Sequence, residues 1–477
     1  MKTRHVDVAI IGAGTAGLNA RRECDNAGAD WVLIESGPYG TTCARVGCMP
    51  SKLLIAAAES AHHVDHSDVF GVRVDKWSID GPAVMQRVQR ERDRFVGFVV
   101  ESTEALPEER RIRGRARFDG PTTLLVDDHT RVEAKAVVLA TGSHPWIPPQ
   151  LKPVRDEVMV SSDVFDLPDI PSSMAVVGTG IVGLELGQAM QRLGAEVEFF
   201  NPYDELAPFT DPDVSKKAHQ VFGKRLTLHL KTEIIEARRD DGGFYLRWVD
   251  INGDEREKTF EQVLAAAGRR PNVQNIGLEK TGVPLDEVGR PITDMRTLQA
   301  GDAPIFVAGD ASSHRPLLHE ASDEGSIAGA NAASFPHVEA RVRKPNLVIA
   351  FTDPQIAMVG TPFEDLDPAN TEIGSVSYDN QGRSRVMAVN QGLVRLYADC
   401  RNCQLIGAEM FGPRMEHMAH LLAWSIQNDE KVPELVGRPF YHPVFEEGIR
   451  TALRELAKKL RVTGRCAPES FGESPGA

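Results

Sequence analysis

The sequence predicts an α/β chain built from two Rossmann-like units and a C-terminal α+β region, on three observations. A glycine fingerprint between two apolar strands stands near the N-terminus, a second copy stands mid-chain, and strand and helix patterns resume from residue 345. At 477 residues the chain exceeds what one hydrophobic core organises, so about three domains are expected.

Residues 6–11 give an apolar strand signal that runs into Gly12-Ala13-Gly14-Thr15-Ala16-Gly17, a helical stretch to residue 27, and a second strand over 31–34 ending at Glu35. In such a unit Gly12 permits the tight turn, Gly14 lets the backbone approach a pyrophosphate, and Gly17 lets helix and strand pack closely. The helix N-terminus receives phosphate charge, and Glu35 accepts from ribose hydroxyls. Alone, the glycines could mark only a turn; the two strands and the acid about twenty residues on make a dinucleotide site.

The second unit repeats the arrangement, with a strand over 174–177, Gly178-Thr179-Gly180-Ile181-Val182-Gly183, a helix through residue 193 and a strand over 196–200. Two such units imply two dinucleotides, as in a flavoprotein that exchanges hydride with a nicotinamide: one unit for FAD, one for NAD(P). At the end of the second strand, where an acid binds NAD ribose or a basic residue binds the NADP phosphate, the chain carries Asn201, then Pro202, Tyr203, Asp204 and Glu205. Asn201 can hydrogen-bond a hydroxyl, the two acids repel a 2′-phosphate, and the local sequence offers that phosphate no positive charge. NAD is therefore expected over NADP.

Directly after the first unit, Cys43-Ala-Arg-Val-Gly-Cys48-Met-Pro-Ser-Lys52 precedes an apolar run over 53–58 that looks helical. Pro50 suits the first turn of a helix, which sets Cys48 at its positive end, where a thiolate is favoured. Arg45 and Lys52 add positive charge, and such surroundings lower a thiol from its usual value of roughly 8.5. The plainer reading is a pair of small buried hydrophobes. Six cysteines in so long a chain are too few for a disulfide scaffold, so a close pair points to catalysis or metal binding.

Composition excludes several classes. A formal net charge of −14 argues against nucleic acid or anionic lipid as the main partner. No run of 18 apolar residues occurs, and the first strand begins too early to leave room for a signal peptide, so a cytoplasmic protein without membrane association is expected.

The motifs continue in a fixed order: Ala140-Thr141-Gly142, the second fingerprint, Ala267-Gly268-Arg269-Arg270-Pro271-Asn272, Val307-Ala308-Gly309-Asp310, and His442-Pro443-Val444-Phe445-Glu446-Glu447. In content and order the chain resembles the flavin-dependent pyridine nucleotide–disulfide oxidoreductases, and among them the dihydrolipoamide dehydrogenases, across essentially its whole length. The resemblance implies FAD and NAD as cofactors, with NADP less favoured, no metal, and a homodimer with shared active sites. It also implies dihydrolipoamide or a lipoyl-bearing protein as substrate.

Residue by residue, Cys48 resembles the flavin-facing thiol and Cys43 the interchange thiol that meets the substrate sulfur. Lys52 and Glu185 resemble an ion pair beside the flavin, and Asp310 the aspartate that binds its ribityl chain. Thr141, Gly142 and Gly268 fall in motifs that border the cofactors. His442 resembles the acid/base contributed by the partner subunit, with Glu447, five residues on, orienting its ring and Glu446 as the neighbouring alternative. An imidazole suits proton transfer to and from a small dithiol near neutral pH.

The implied organisation is an FAD domain over 1–150, an NAD(P) domain over 151–270, a return to the FAD domain over 271–344, a dimerisation domain over 345–462 and a disordered tail over 463–477. Within it, 65–73 reads as a loop, 84–100 as a helix, and the prolines at 145, 148, 149 and 153 as a crossover. Alternation over 227–262 reads as antiparallel hairpins. Cys400-Arg-Asn-Cys403 reads as a hairpin turn and lacks the companion ligands of a zinc site, while Cys466 stands alone in the tail.

Arg45, Met49 and Tyr441 depart from the usual dihydrolipoamide dehydrogenase residues, which leaves three other readings in play. They are an NADPH-dependent reductase of another low-molecular-weight disulfide, a soluble transhydrogenase, and a flavin-bearing subunit of a larger complex.

Overall fold

The computed structural model describes residues 1–312 and 314–462. Its first sheet is centred on Lys2–Ile11, which pairs in parallel with Trp31–Glu35 on one side and Thr130–Leu139 on the other. Val8, Ala9 and Ile10 are fully buried, as a strand covered on both faces requires. Arg111–Arg113 extends one edge, and Ile305–Val307, returning from far along the chain, pairs in parallel with Thr130–Leu139. A short antiparallel extension, Thr123–Val126 and Ala116–Phe118, closes the other side.

The second sheet is parallel throughout, in the order Thr227–Leu230, Glu196–Asn201, Ser173–Val177, Gln262–Ala265, Met159–Val160. This corrects the hairpin expectation over 227–262. Only Glu233–Asp240, Gly243–Val249 and Glu255–Phe260 form an antiparallel meander; the flanking strands belong to the parallel sheet. Val263, Leu264 and Ala265 are buried in succession rather than alternately, the mark of a strand covered on both faces. A two-stranded ribbon, Ser143–Pro145 with Arg269–Pro271, joins the two Rossmann-like units.

The C-terminal α+β region is a five-stranded antiparallel sheet, Leu347–Ala350, Gln355–Gly360, Leu405–Gly412, Leu393–Asp399 and Thr371–Ser377, packed by helices Met415–Gln427 and Glu447–Val462. Cys400 and Cys403 lie in the turn between two of its strands, both buried in the apolar core. No group of three or more metal-binding side chains occurs among the described residues. Cys466 and the tail over 463–477 lie outside the described residues. No described helix is long and apolar enough to cross a membrane.

The helix predicted over 53–58 is longer, Cys48–Asp65, and the one over 84–100 runs Gly81–Glu104, capped by Asp80 accepting from the Ala83 N–H. The expected loop at 65–73 contains a short 3₁₀ turn, Ser67–Phe70. Leu54 and Ala58 of the Cys48–Asp65 helix share one core with Met85 and Val88, with Met174 and Leu184 of the second unit, and with Ile356 and Phe411 of the C-terminal sheet. Burying a leucine such as Leu54 contributes about 2 kcal/mol, so packing from all three regions fixes the helix that carries Cys48.

Candidate active site

Cys48 is the first residue of the Cys48–Asp65 helix, with Gly47 as its cap and Pro50 buried in the first turn. The Cys43 thiol donates to Cys48, which lowers the Cys48 pKa; burial opposes this, and the Lys52 charge lowers it further, to about 7. The same hydrogen bond, together with burial, pushes the Cys43 thiol well above its usual range. One sulfur is thus poised as a thiolate and the other held as a thiol.

Lys52 Nζ lies 2.7 Å from Glu185 Oε2, joining the cysteine-bearing helix to the helix Ile181–Arg192 of the second unit. Glu185 is only 5% exposed, and its other oxygen accepts from the Phe351 N–H at 2.8 Å. The Phe351 ring faces the same ammonium, with Nζ 4.6 Å from its centroid. Phe351, from the C-terminal region, is a neighbour that sequence reading missed, because only tertiary packing brings it to the pair.

The two fingerprints have matching geometry. An added Cβ on Gly12 (φ +110°) would meet Ala140 O at 2.2 Å, and one on Gly17 would meet Gly12 O at 1.8 Å, whereas Gly14 faces open space. In the second unit Gly178 (φ +119°) faces Ala266 O at 2.4 Å and Gly183 faces Gly178 O at 2.1 Å, while Gly180 is open. In each unit two glycines allow close packing and the third leaves the helix N-terminus approachable. Glu35 caps the first unit's second strand, its two oxygens accepting from the N–H groups of Ala13 (2.8 Å) and Gly37 (2.7 Å). Each oxygen retains a lone pair for a further donor.

Asp310 follows strand Ile305–Val307 and accepts from Ser143 Oγ at 2.6 Å. Arg269 binds the same Ser143, at Oγ and at the carbonyl, both at 2.8 Å. Gly142 (φ +68°) and Gly268 (φ +113°) both face open space. Asn272 fixes the loop at Thr141 and Gly142, accepting at neither: its N–H donates to Gly142 O and its side chain to Thr141 O, each at 2.9 Å.

Beside the second fingerprint runs a cleft of about 620 Å³, lined by residues 178–182, 200–203, Glu205, 232–234 and 265–269. Asn201 lines it, but its amide is turned to the loop: it donates to Thr179 Oγ1 (2.5 Å) and Glu205 O (3.1 Å) and accepts from the Tyr203 N–H (3.0 Å). Both of its hydrogens are committed. The expectation of no nearby positive charge is also corrected, since Lys231 lies 2.5 Å from Asp204. It stands one residue past the strand Thr227–Leu230, about thirty residues on, where local sequence gives no sign of it.

His442 and Glu447 stand at the start of the helix Glu447–Val462, with Nδ1 and Oε1 3.0 Å apart. Burial pushes the Glu447 carboxyl up, but hydrogen bonds from His442 and from the Val444 N–H outweigh it and hold the pKa below the usual range. The His442 side chain is 80% exposed. Two further residues that sequence reading missed steady this loop: Gln381 donates to Val444 O at 2.7 Å and Tyr378 to Phe445 O at 2.9 Å.

Residues 6–325 match the pyridine nucleotide-disulphide oxidoreductase family, and residues 347–453 match the dimerisation domain of that family. The chain belongs to this family. Among its relatives, a dihydrolipoyl dehydrogenase of Chlamydia muridarum is 30% identical over 453 residues, covering 92% of this chain and 94% of the relative. One from Thermus scotoductus is 29% identical, covering 96% and 98%. Among solved structures, LpdA from Mycobacterium tuberculosis aligns with TM-score 0.79 at 23% identity over 96% of this chain and 100% of the other. The HOCl-induced flavoprotein disulfide reductase RclA from Escherichia coli, as a Cu(II) complex, aligns with TM-score 0.79 at 19% identity, covering 94% and 99%. These structural likenesses show the shared fold.

Membership in the pyridine nucleotide-disulphide oxidoreductases brings FAD and a pyridine nucleotide, and the residues present fit both. Thr141 Oγ1 is buried without a hydrogen-bond partner among the described residues, beside the open face of Gly142. With Gly14 approachable and Glu35 retaining acceptor capacity, the first unit offers a polar cradle that a flavin dinucleotide satisfies. The cleft at Gly180 suits the nicotinamide dinucleotide.

Proposed function

We propose that this oxidoreductase is a dihydrolipoyl dehydrogenase, which oxidises a dihydrolipoyl group, free or protein-borne, and reduces NAD as a homodimer. The observation that carries the reading is the unequal thiol pair, a Cys48 thiol lowered to about 7 beside a Cys43 thiol held protonated. Relatives named dihydrolipoyl dehydrogenase support this substrate class.

Bound FAD supplies the two-electron relay between the dithiol and the nicotinamide. The chain's own residues carry the sulfur chemistry. His442, steadied through Nδ1 by Glu447, takes a proton from one substrate thiol. The resulting thiolate attacks Cys43 of the oxidised pair, forming a mixed disulfide and releasing Cys48 as a thiolate, which its helix end and Lys52 favour. The second substrate sulfur, once deprotonated, closes on the first; Cys43 leaves and is reprotonated. The substrate ends as the disulfide and the enzyme as the dithiol. The outward exposure of His442, with the match to a dimerisation domain, supports its service to the partner's thiol pair.

The test is turnover of the purified flavin-bearing protein with dihydrolipoamide, offering NAD and NADP separately at matched concentrations. Fast reduction of NAD is expected. No turnover, with flavin bound and reducible by NADH, overturns the substrate and keeps the family.

A further inference from the structure

Three side chains on one face of the helix Ile181–Arg192, at 185, 188 and 192, hold one short segment of the C-terminal region. Glu185 accepts from the Phe351 N–H at 2.8 Å. Gln188, nearly fully buried, makes two bonds to Asp353: its Oε1 accepts from the Asp353 N–H at 2.7 Å and its Nε2 donates to the Asp353 carbonyl at 2.9 Å. Arg192 reaches the Asp353 carboxylate at 2.5 Å. Arg225 donates to the Asp353 carbonyl at 3.3 Å, and His62, near the far end of the cysteine-bearing helix, lies 3.4 Å from the carboxylate.

The segment so held ends in the residue that touches the ion pair from two sides. Phe351 meets Glu185 with its amide and Lys52 with its ring. Its backbone position therefore sets where the Lys52 ammonium stands relative to Cys48. We propose that Gln188 is a positioning residue of the thiol site: by gripping Asp353 on both sides of its backbone it fixes Phe351, and through Phe351 the Lys52–Glu185 pair beside Cys48. The inference rests on the reading of Cys48 as the working thiolate.

Several groups act on the two ends of this relay. Cys48 is faced by Cys43, Lys52 and Glu185. Asp353 is faced by Arg192, Arg225 and His62; the two guanidinium charges and the Arg192 hydrogen bond outweigh burial and hold its carboxyl below the usual carboxylate range. Burial and the neighbouring Arg192 hold His62 down at about 4, so it is neutral when Cys48 titrates. A shift in the Cys48 titration then reports the placement of Lys52 rather than a change at the Asp353 end.

The experiment is the pH profile of Cys48 alkylation in the reduced, flavin-bearing protein, resolved from Cys43 by peptide mapping. Gln188→Met keeps the volume and removes both bonds. It is expected to raise the Cys48 midpoint by about one unit, which slows alkylation at pH 7 by about fivefold. Phe351→Leu, which leaves the backbone amide in place, shifts it in the same direction and serves should Gln188→Met not fold. Phe244→Leu, a core change in the meander, lowers the melting temperature without moving the midpoint. An unchanged midpoint in folded Gln188→Met, or in Phe351→Leu should Gln188→Met not fold, with Lys52→Met raising it, overturns the positioning role alone. An unchanged midpoint in Lys52→Met overturns the thiolate reading beneath it.

Discussion

Cys43 donates its thiol hydrogen to Cys48, so two sulfurs five residues apart in sequence have opposite proton affinities. The reduced protein should gain stability from this as pH rises. The Cys48 pKa falls from the ordinary thiol value to about 7 on folding, so between these values the unfolded chain binds more protons. The contribution is fully present above the unfolded value and lost as pH falls through the folded one; Cys43, shifted upward, stays protonated across that window. Melting temperatures of reduced wild type and Cys48→Ser should diverge from pH 6 to pH 8.5, wild type gaining. Cys48→Ser should also abolish disulfide turnover with flavin retained, and loss of flavin would mark Cys48 as structural.

The His442–Glu447 contact makes a second prediction. His442→Ala should slow the thiol half-reaction by about 10²- to 10⁴-fold, the range for loss of a general acid/base, and leave flavin reduction by NADH nearly unchanged. Glu447→Gln should show a smaller defect of the same kind, because it loosens the ring without removing it. Stopped-flow measurement of the two half-reactions separates them, and equal slowing of both assigns His442 elsewhere.

Gly17 and Gly183 occupy equivalent places, and an added Cβ at either meets a fingerprint carbonyl at 1.8 or 2.1 Å. The same substitution should therefore have different consequences in the two units. Gly17→Ala is expected to give protein depleted of flavin, scored by the ratio of visible to ultraviolet absorbance. Gly183→Ala is expected to keep its flavin and raise the KM for the nicotinamide at least tenfold.

Features written in contiguous residues were legible in the sequence. The two fingerprints, the Cys43/Cys48 pair and the strand ending at Glu35 each occupy one stretch, with a local physical reason for every residue type. What escaped lies across sequence distance. Phe351 reaches the Lys52–Glu185 pair only because the C-terminal sheet packs on the second unit. Lys231 reaches Asp204 only because the strand it follows, Thr227–Leu230, runs parallel beside the strand ending at Asn201. The misread strand at 227–230 failed for a related reason: period-two alternation says that a segment is extended, and which strand it pairs with is settled by partners distant in the chain.

Glu185 accepts from Lys52 with one oxygen and from the Phe351 N–H with the other, so a single truncation leaves a cation and a backbone donor unpaired. Lys52 retains partial solvent contact, which tempers the cost of its lost partner. An unpaired buried donor alone costs about 1–3 kcal/mol. Glu185→Leu should thus destabilise the protein by about 2–3 kcal/mol in urea titration. Glu185→Gln, which keeps an acceptor for Phe351, should cost clearly less; equal losses would show that the Phe351 bond contributes nothing.

At the nucleotide cleft, Asn201 spends both amide hydrogens on its own loop, so discrimination between NAD and NADP falls to the charges beside it. Glu205 and Glu233 line the cleft near the strand end, and Lys231, just past the neighbouring strand, is bound to Asp204 at 2.5 Å. A 2′-phosphate entering there meets acids and a neutralised lysine, which favours NAD. Asp204→Asn frees Lys231 and removes one repelling charge, and should raise kcat/KM for NADP about tenfold, equivalent to about 1.4 kcal/mol, with little change for NAD. Adding Lys231→Met to that variant should return NADP to its starting value, because the freed ammonium is what the phosphate meets. Steady-state kinetics with both nucleotides on wild type, single and double variants decides it: a wild type already faster with NADP reverses the preference, and a gain that survives loss of Lys231 assigns the effect to Asp204 alone.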